Sequence, residues 1–96
     1  MTVIWSSKAL KSYDQVLAYL TSEWGNTSVQ KFMDEVERVI LLISKNPSMF
    51  RRSVRHENIR IGYLTKQNSL VYRLKAKEIE LLLFWDNRQD SKKLKY

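Results

Sequence analysis

The sequence predicts an α+β domain of order β-α-α-β-β-β, a helical hairpin packed on one face of an antiparallel sheet. Three observations predict it. Two stretches in the first half carry apolar residues at three- and four-residue steps, the stripe of an amphipathic helix. Three stretches in the second half alternate or run apolar over a strand's length. The links between those last stretches are too short for a parallel crossover, which needs about a dozen residues or more. A chain of 96 residues holds one core, so a single domain spanning 1–96 is expected.

Val3-Ile4-Trp5 is β-branched and aromatic, a short first strand. Ser6 or Ser7 then caps a helix by accepting from an exposed backbone N–H. Ala9, Leu10, Tyr13, Val16, Leu17, Leu20 and Trp24 form its apolar stripe. Gly25 follows where a left-handed backbone ends a helix at little cost. Thr27-x-x-Gln30 reads as a capping box for a second helix. Its stripe is Val29, Phe32, Met33, Val36, Val39, Ile40 and Ile43, and Asn46-Pro47 stops it, because proline disfavours helical geometry at the residue before it. Residues 48–58 are polar, with Met49 and Phe50 as anchors. Ile59-Arg60-Ile61-Gly62-Tyr63 alternates as a strand. A turn at Lys66-Gln67-Asn68-Ser69 leads into Leu70-Val71-Tyr72-Arg73-Leu74. Ala76-Lys77 connects this to residues 80–85, almost continuously apolar and therefore central in the sheet. The tail from Asp86 onward is polar and basic.

Composition narrows the function. The longest apolar runs, 39–43 and 81–85, fall far short of the ~20 residues that cross a bilayer. The opening residues carry no signal-peptide pattern, and the absence of cysteine suits the cytoplasm. With no cysteine and one histidine, no disulfide framework, thiolate nucleophile or metal site is expected, and no cofactor. Gly25 and Gly62 alone cannot build a phosphate loop. Charge is the informative quantity. The chain carries +7. Up to Asn46 the acidic and basic residues balance, so the second half holds the whole excess, which favours a polyanionic partner.

Residues two apart in a strand share a face. If the Ile59/Ile61 and Leu70/Tyr72 sides meet the helices, Arg60 and Arg73 project together from an open face, with Arg88 near it. Arg51, Arg52 and Arg55 enter from the preceding loop. Arginine suits phosphate oxygens through its forked donors. Such a face is compatible with RNA cleavage, in which the 2′-hydroxyl attacks its own phosphate and cations stabilise the developing charge. A neighbouring group must then move protons.

Ile4-Trp5-Ser6 with Ala9, Asn46-Pro47 after the hairpin, Ile59-Arg60, Leu70-Val71-Tyr72-Arg73 and Phe84-Trp85-Asp86-Asn87-Arg88-Gln89-Asp90 run over nearly the whole chain. In these the sequence resembles the RelE/ParE superfamily of toxins from type II toxin–antitoxin modules. The resemblance implies a small cytoplasmic toxin, neutralised by a cognate antitoxin that wraps its flexible C-terminal part around it. RelE-like members cut messenger RNA on the ribosome; ParE-like members inhibit DNA gyrase and cleave nothing. Arg60 falls where RelE-like enzymes carry a lysine, and Gly62 where they carry another. Ser69 stands at an arginine position, with Arg73 on its face. Arg88 matches the arginine after the last strand. Leu94 falls at the spacing of a terminal tyrosine, with Tyr96 close by. The expectation is ribosome-dependent mRNA cleavage. Arg60 and Arg88 would stabilise phosphate charge, Arg73 would position, and Tyr96 or His56 would transfer the proton. A gyrase inhibitor and a detoxified antitoxin-binding module are the alternatives.

Overall fold

The computed structural model describes residues 1–96, the Ser91 side chain excepted. Strand β1 (Thr2–Trp5) runs into helix α1 (Ser7–Glu23). Ser6 makes the turn. Its Oγ accepts from the Ala9 N–H at 3.0 Å, the expected cap, and donates to the Leu82 carbonyl at 3.1 Å. The start of the helix is thus tied to the middle of the sheet. The Trp24 and Gly25 N–H groups both donate to the Leu20 carbonyl. Gly25 takes φ +88°, a conformation that costs glycine little because it has no Cβ.

Helix α2 (Asn26–Lys45) starts directly after that glycine. Asn26 and Thr27 lie inside it, so the expected capping box does not form. Gln30 instead donates to Asp34 one turn on, at 2.8 Å. Asn46-Pro47 ends the helix as the sequence predicts.

Four strands follow: β2 (Arg51–Arg52), β3 (Ile59–Tyr63), β4 (Asn68–Leu74) and β5 (Glu78–Asp86). The sheet order is β1-β5-β4-β3-β2. β3, β4 and β5 pair antiparallel, as their short links require. β1 pairs parallel with β5, which makes the sheet mixed. The link between these two is the entire intervening chain, so the short-connection argument does not reach them. The sequence predicts a loop where β2 lies. Two exposed arginines present no apolar face and leave no period to detect. They form a short charged edge strand, a form that discourages further strand pairing.

Two cores lie on the two faces of the sheet. On the helix face, Leu70, Tyr72, Ile79, Leu81 and Phe84 pack against Ala9, Phe32, Val36, Val39 and Ile43. Gly62 lies under the Phe50 ring, where a Cβ would come within 2.8 Å of a ring carbon. The far face holds a second cluster: Ile59, Val71, Leu82 and Leu83, covered by Leu94. A bulge makes it. Val71 pairs with Leu83 but Tyr72 pairs with Leu81, so Leu82 is an extra residue in β5. Leu82 and Leu83 therefore both reach the far face, and that is why residues 81–85 read as an unbroken apolar run. The tail crosses this face, with Leu94 buried to 5% exposure.

Tyr72 carries a testable consequence. Its ring is fully buried and its hydroxyl donates to the Pro47 carbonyl at 2.9 Å. Burial pushes its pKa up from 10.0 to about 12, partly offset by the Arg60 charge. A raised folded-state pKa contributes stability that is intact below the unfolded value and lost as pH rises through the folded one. Urea unfolding should therefore show about 2–3 kcal/mol of stability lost between pH 10 and 12 on account of this residue. Tyr72→Phe should give a visibly flatter alkaline limb, despite losing about 1 kcal/mol at neutral pH with its hydrogen bond. Parallel limbs for the two proteins would contradict the assignment.

Candidate functional site

Arg60 and Arg73, expected to project together from one open face, do not share a face. Arg60 lies opposite Tyr72 across the β3–β4 ladder, and directly opposed residues point to the same side. It therefore lies on the helix face. Its Nη1 donates to the Ser48 carbonyl at 3.0 Å and the Phe50 carbonyl at 2.7 Å, which fastens the link between α2 and β2. Its Nε is buried and makes no hydrogen bond. Arg73 lies opposite Ile59, on the far face. It donates to Glu80 at 3.3 Å, and Lys75 lies 3.6 Å from the same carboxylate and 3.5 Å from Glu78. That quartet is internally neutral.

The reason for the difference is register. Alternation assigns faces within one strand; pairing assigns which faces coincide. The Leu70/Tyr72 side meets the helices as expected. The Ile59/Ile61 side does not, because those residues oppose Arg73 and Val71.

Arg88 leaves the end of β5 beside α1. Its Nε and Nη2 donate to the two Asp86 oxygens at 3.0 and 2.9 Å, and its guanidinium lies 5.4 Å from the Tyr19 ring centroid. The fork holds the Asp86 carboxyl below the usual carboxylate range and raises the Arg88 pKa. Tyr96 is on the far face. Its hydroxyl shares a hydrogen bond with Ser53 Oγ, and its ring meets His56 edge-on at 5.6 Å.

Two arrangements were not foreseen from sequence. One is the meeting of the tail with the 53–57 loop. Arg55 Nη1 donates to the Leu94 carbonyl at 2.9 Å, and Ser53 and Leu94 are both buried. The only signal was Leu94 itself, a lone aliphatic residue in a polar tail. The other is a groove of about 480 Å³ between α1 and the end of β5. Val16, Leu20 and Phe84 line its apolar part; Lys8, Lys11, Tyr19 and the Asp86–Arg88 pair line its polar part. Its chemistry suits a segment that is both acidic and apolar. Among the described residues no cluster of three or more His, Cys, Asp or Glu side chains is placed to hold a metal, and no helix is long and apolar enough to cross a membrane.

A family model described as the ParE toxin of the type II toxin–antitoxin system, parDE, matches residues 3–91. No curated protein matches the chain. Several solved structures share its fold. The chromosomal ParDE toxin–antitoxin system from P. aeruginosa superposes with a TM-score of 0.75 at 19% identity, over 90% of this chain and 95% of that one. A YoeB/ParE toxin from Agrobacterium tumefaciens gives 0.66 at 11% identity, over 91% and 99%. The YoeB dimer from Staphylococcus aureus gives 0.62 at 12%, over 86% and 92%. The family match runs through both helices and all five strands, and by it this chain belongs to the ParE toxins of type II toxin–antitoxin systems.

Proposed function

We propose that this toxin acts by binding its target, DNA gyrase, and not by cutting messenger RNA. One observation carries the reading: the groups that cleavage would need are engaged elsewhere. Arg60 is spent on backbone carbonyls on the helix face, while Arg73 and Arg88 are each paired with a carboxylate. Transition-state charge is stabilised by donors aimed at one point in space, and these three are aimed at different ones. The resemblance to ParE-like members, which inhibit gyrase without cleavage, supports the same conclusion. The contact between His56 and Tyr96 beside Arg55 favours the cleavage reading, so the experiment must separate the two. Purified toxin should block supercoiling of relaxed plasmid by gyrase, and primer extension on translating ribosomes should show intact message. Unchanged supercoiling at large molar excess, or message cut in the decoding site, would overturn the proposal.

Membership in the family implies an antitoxin partner. We infer that an acidic, partly apolar segment of that antitoxin lies in the groove between α1 and β5. The apolar floor of Val16, Leu20 and Phe84 beside Lys8 and Lys11, which make no ion pair among the described residues, supports this seat. Segments that fold on binding use such mixed surfaces. Titration calorimetry with the product of the adjacent reading frame should find Lys11→Glu at least about tenfold weaker than the unaltered toxin, the cost of placing like charges at an interface. Undiminished affinity would move the seat elsewhere.

A further inference from the structure

Of the seventeen basic side chains, four are engaged in ion pairs. Arg38, Arg73, Lys75 and Arg88 make all the ion pairs found among the described residues. Arg51, Arg55, Lys92, Lys93 and Lys95 are exposed and make none. Of the unpaired cations, the fold gathers these five at one corner of the far face. Arg51 stands on β2 opposite Ile61, which places it on that side. Arg55 holds the tail by donating to the Leu94 carbonyl at 2.9 Å and the Lys92 carbonyl at 3.5 Å. From the other direction Lys8 of α1 donates to the Lys95 carbonyl at 2.7 Å. Leu94 is the buried anchor, so the lysines on either side of it stay in solvent.

Nearby carboxylates are few. Glu57 belongs to the same loop, and Asp90 accepts from the Lys92 N–H at 3.0 Å where the tail turns. Five basic side chains thus face two acidic ones. Concentrating unpaired like charges raises the energy of the folded tail, and burial of Leu94 offsets it. A polyanion laid across the corner relieves that repulsion and releases its own counterions.

We propose that this corner binds the phosphate backbone of duplex DNA. Lys92 and Lys95 lie three residues apart, which spans at most about 10 Å of chain, a distance that covers several phosphates of a duplex. Single strands are ordinarily held by aromatic rings free to stack on bases. Here the two rings at the corner, His56 and Tyr96, meet edge to face, and the Tyr96 hydroxyl is bound to Ser53. At this corner charge is therefore offered without a free stacking ring; Tyr63, an exposed ring of the same face, lies at the opposite end of β3 from Ile59.

The test contains no gyrase, so it stands or fails apart from the inhibition reading. A fluorescently labelled 20-base-pair duplex is titrated with toxin by anisotropy at stepped salt concentrations. The log–log slope of affinity against salt should be about −3 to −4, near −0.9 for each phosphate neutralised. Lys92→Gln with Lys93→Gln removes two charges without touching the carbonyl contacts or Leu94, and should make the slope shallower by roughly 2. Lys31→Gln with Lys66→Gln removes the same charge from the helix side and should leave the slope unchanged. Equal flattening in both double variants would show diffuse attraction by net charge and overturn the proposal. Absence of binding at about 50 mM salt, or tighter binding to a single-stranded RNA of equal length, would also overturn it.

Discussion

Tyr72 stands opposite Arg60 across the β3–β4 ladder, and that pairing decides where the charge of the sheet goes. A slip of one residue would turn every side chain of a strand to the other face. The register resists it from both sides. Leu70 and Tyr72 belong to the helix-side core, Ile59 and Val71 to the far-side core, and all four are buried. Each such side chain is stabilised by roughly 1.5–3 kcal/mol on burial, so a slip would forfeit several at once. Arg60 is carried onto the helix face as a consequence. There the Ser48 and Phe50 carbonyls receive it, and it becomes a fastener for the loop that precedes the edge strand.

The bulge at Leu82 complements that register. Without the extra residue, alternation along β5 would send Leu83 and Trp85 toward the helices and Phe84 away from them. With it, Phe84 joins Trp5, Tyr13 and Phe32 in the helix-side aromatic cluster, at centroid distances of 5.5, 5.1 and 6.5 Å. Leu82 and Leu83 are left on the far face, where Leu94 covers them. A basic tail is thereby held against the arginine loop. Stability and surface chemistry are linked at that point: the apolar contact that closes the second core also assembles the unpaired cations.

Much of this was legible in the residues. The helical stripes placed α1 and α2 to within a few residues, because three- and four-residue spacing is strong over such lengths. Ser6 announced its cap, and Asn46-Pro47 its stop. Alternation separates the two sides of β3 and of β4 and puts Leu70 and Tyr72 toward the helices, but it does not say which side of β3 joins them. Other features had no local signature. The parallel pairing of β1 with β5 joins segments more than seventy residues apart, and the two arginines of β2 show no period. The arginines part company because alternation fixes faces only within a strand, while register is a property of pairs. The bulge hid inside an apolar run that a buried strand explains equally well. The tail's docking rests on Leu94, one residue among charged neighbours.

The register itself is open to direct measurement. The chain has no native cysteine, and Ile59 and Arg73 are paired on the far face. The Leu74 N–H donates to the Asn58 carbonyl, so the neighbouring pair is of the closely spaced, non-hydrogen-bonded kind, with Cα atoms about 4.5 Å apart. That separation lies within the range a disulfide accepts. Mild oxidation of Ile59→Cys with Arg73→Cys, followed by mass spectrometry and thiol counting, should give a quantitative intramolecular disulfide. Arg60→Cys with Arg73→Cys should keep both thiols free. A bond in the second protein and none in the first would place Arg60 and Arg73 on one face and contradict the account at its root.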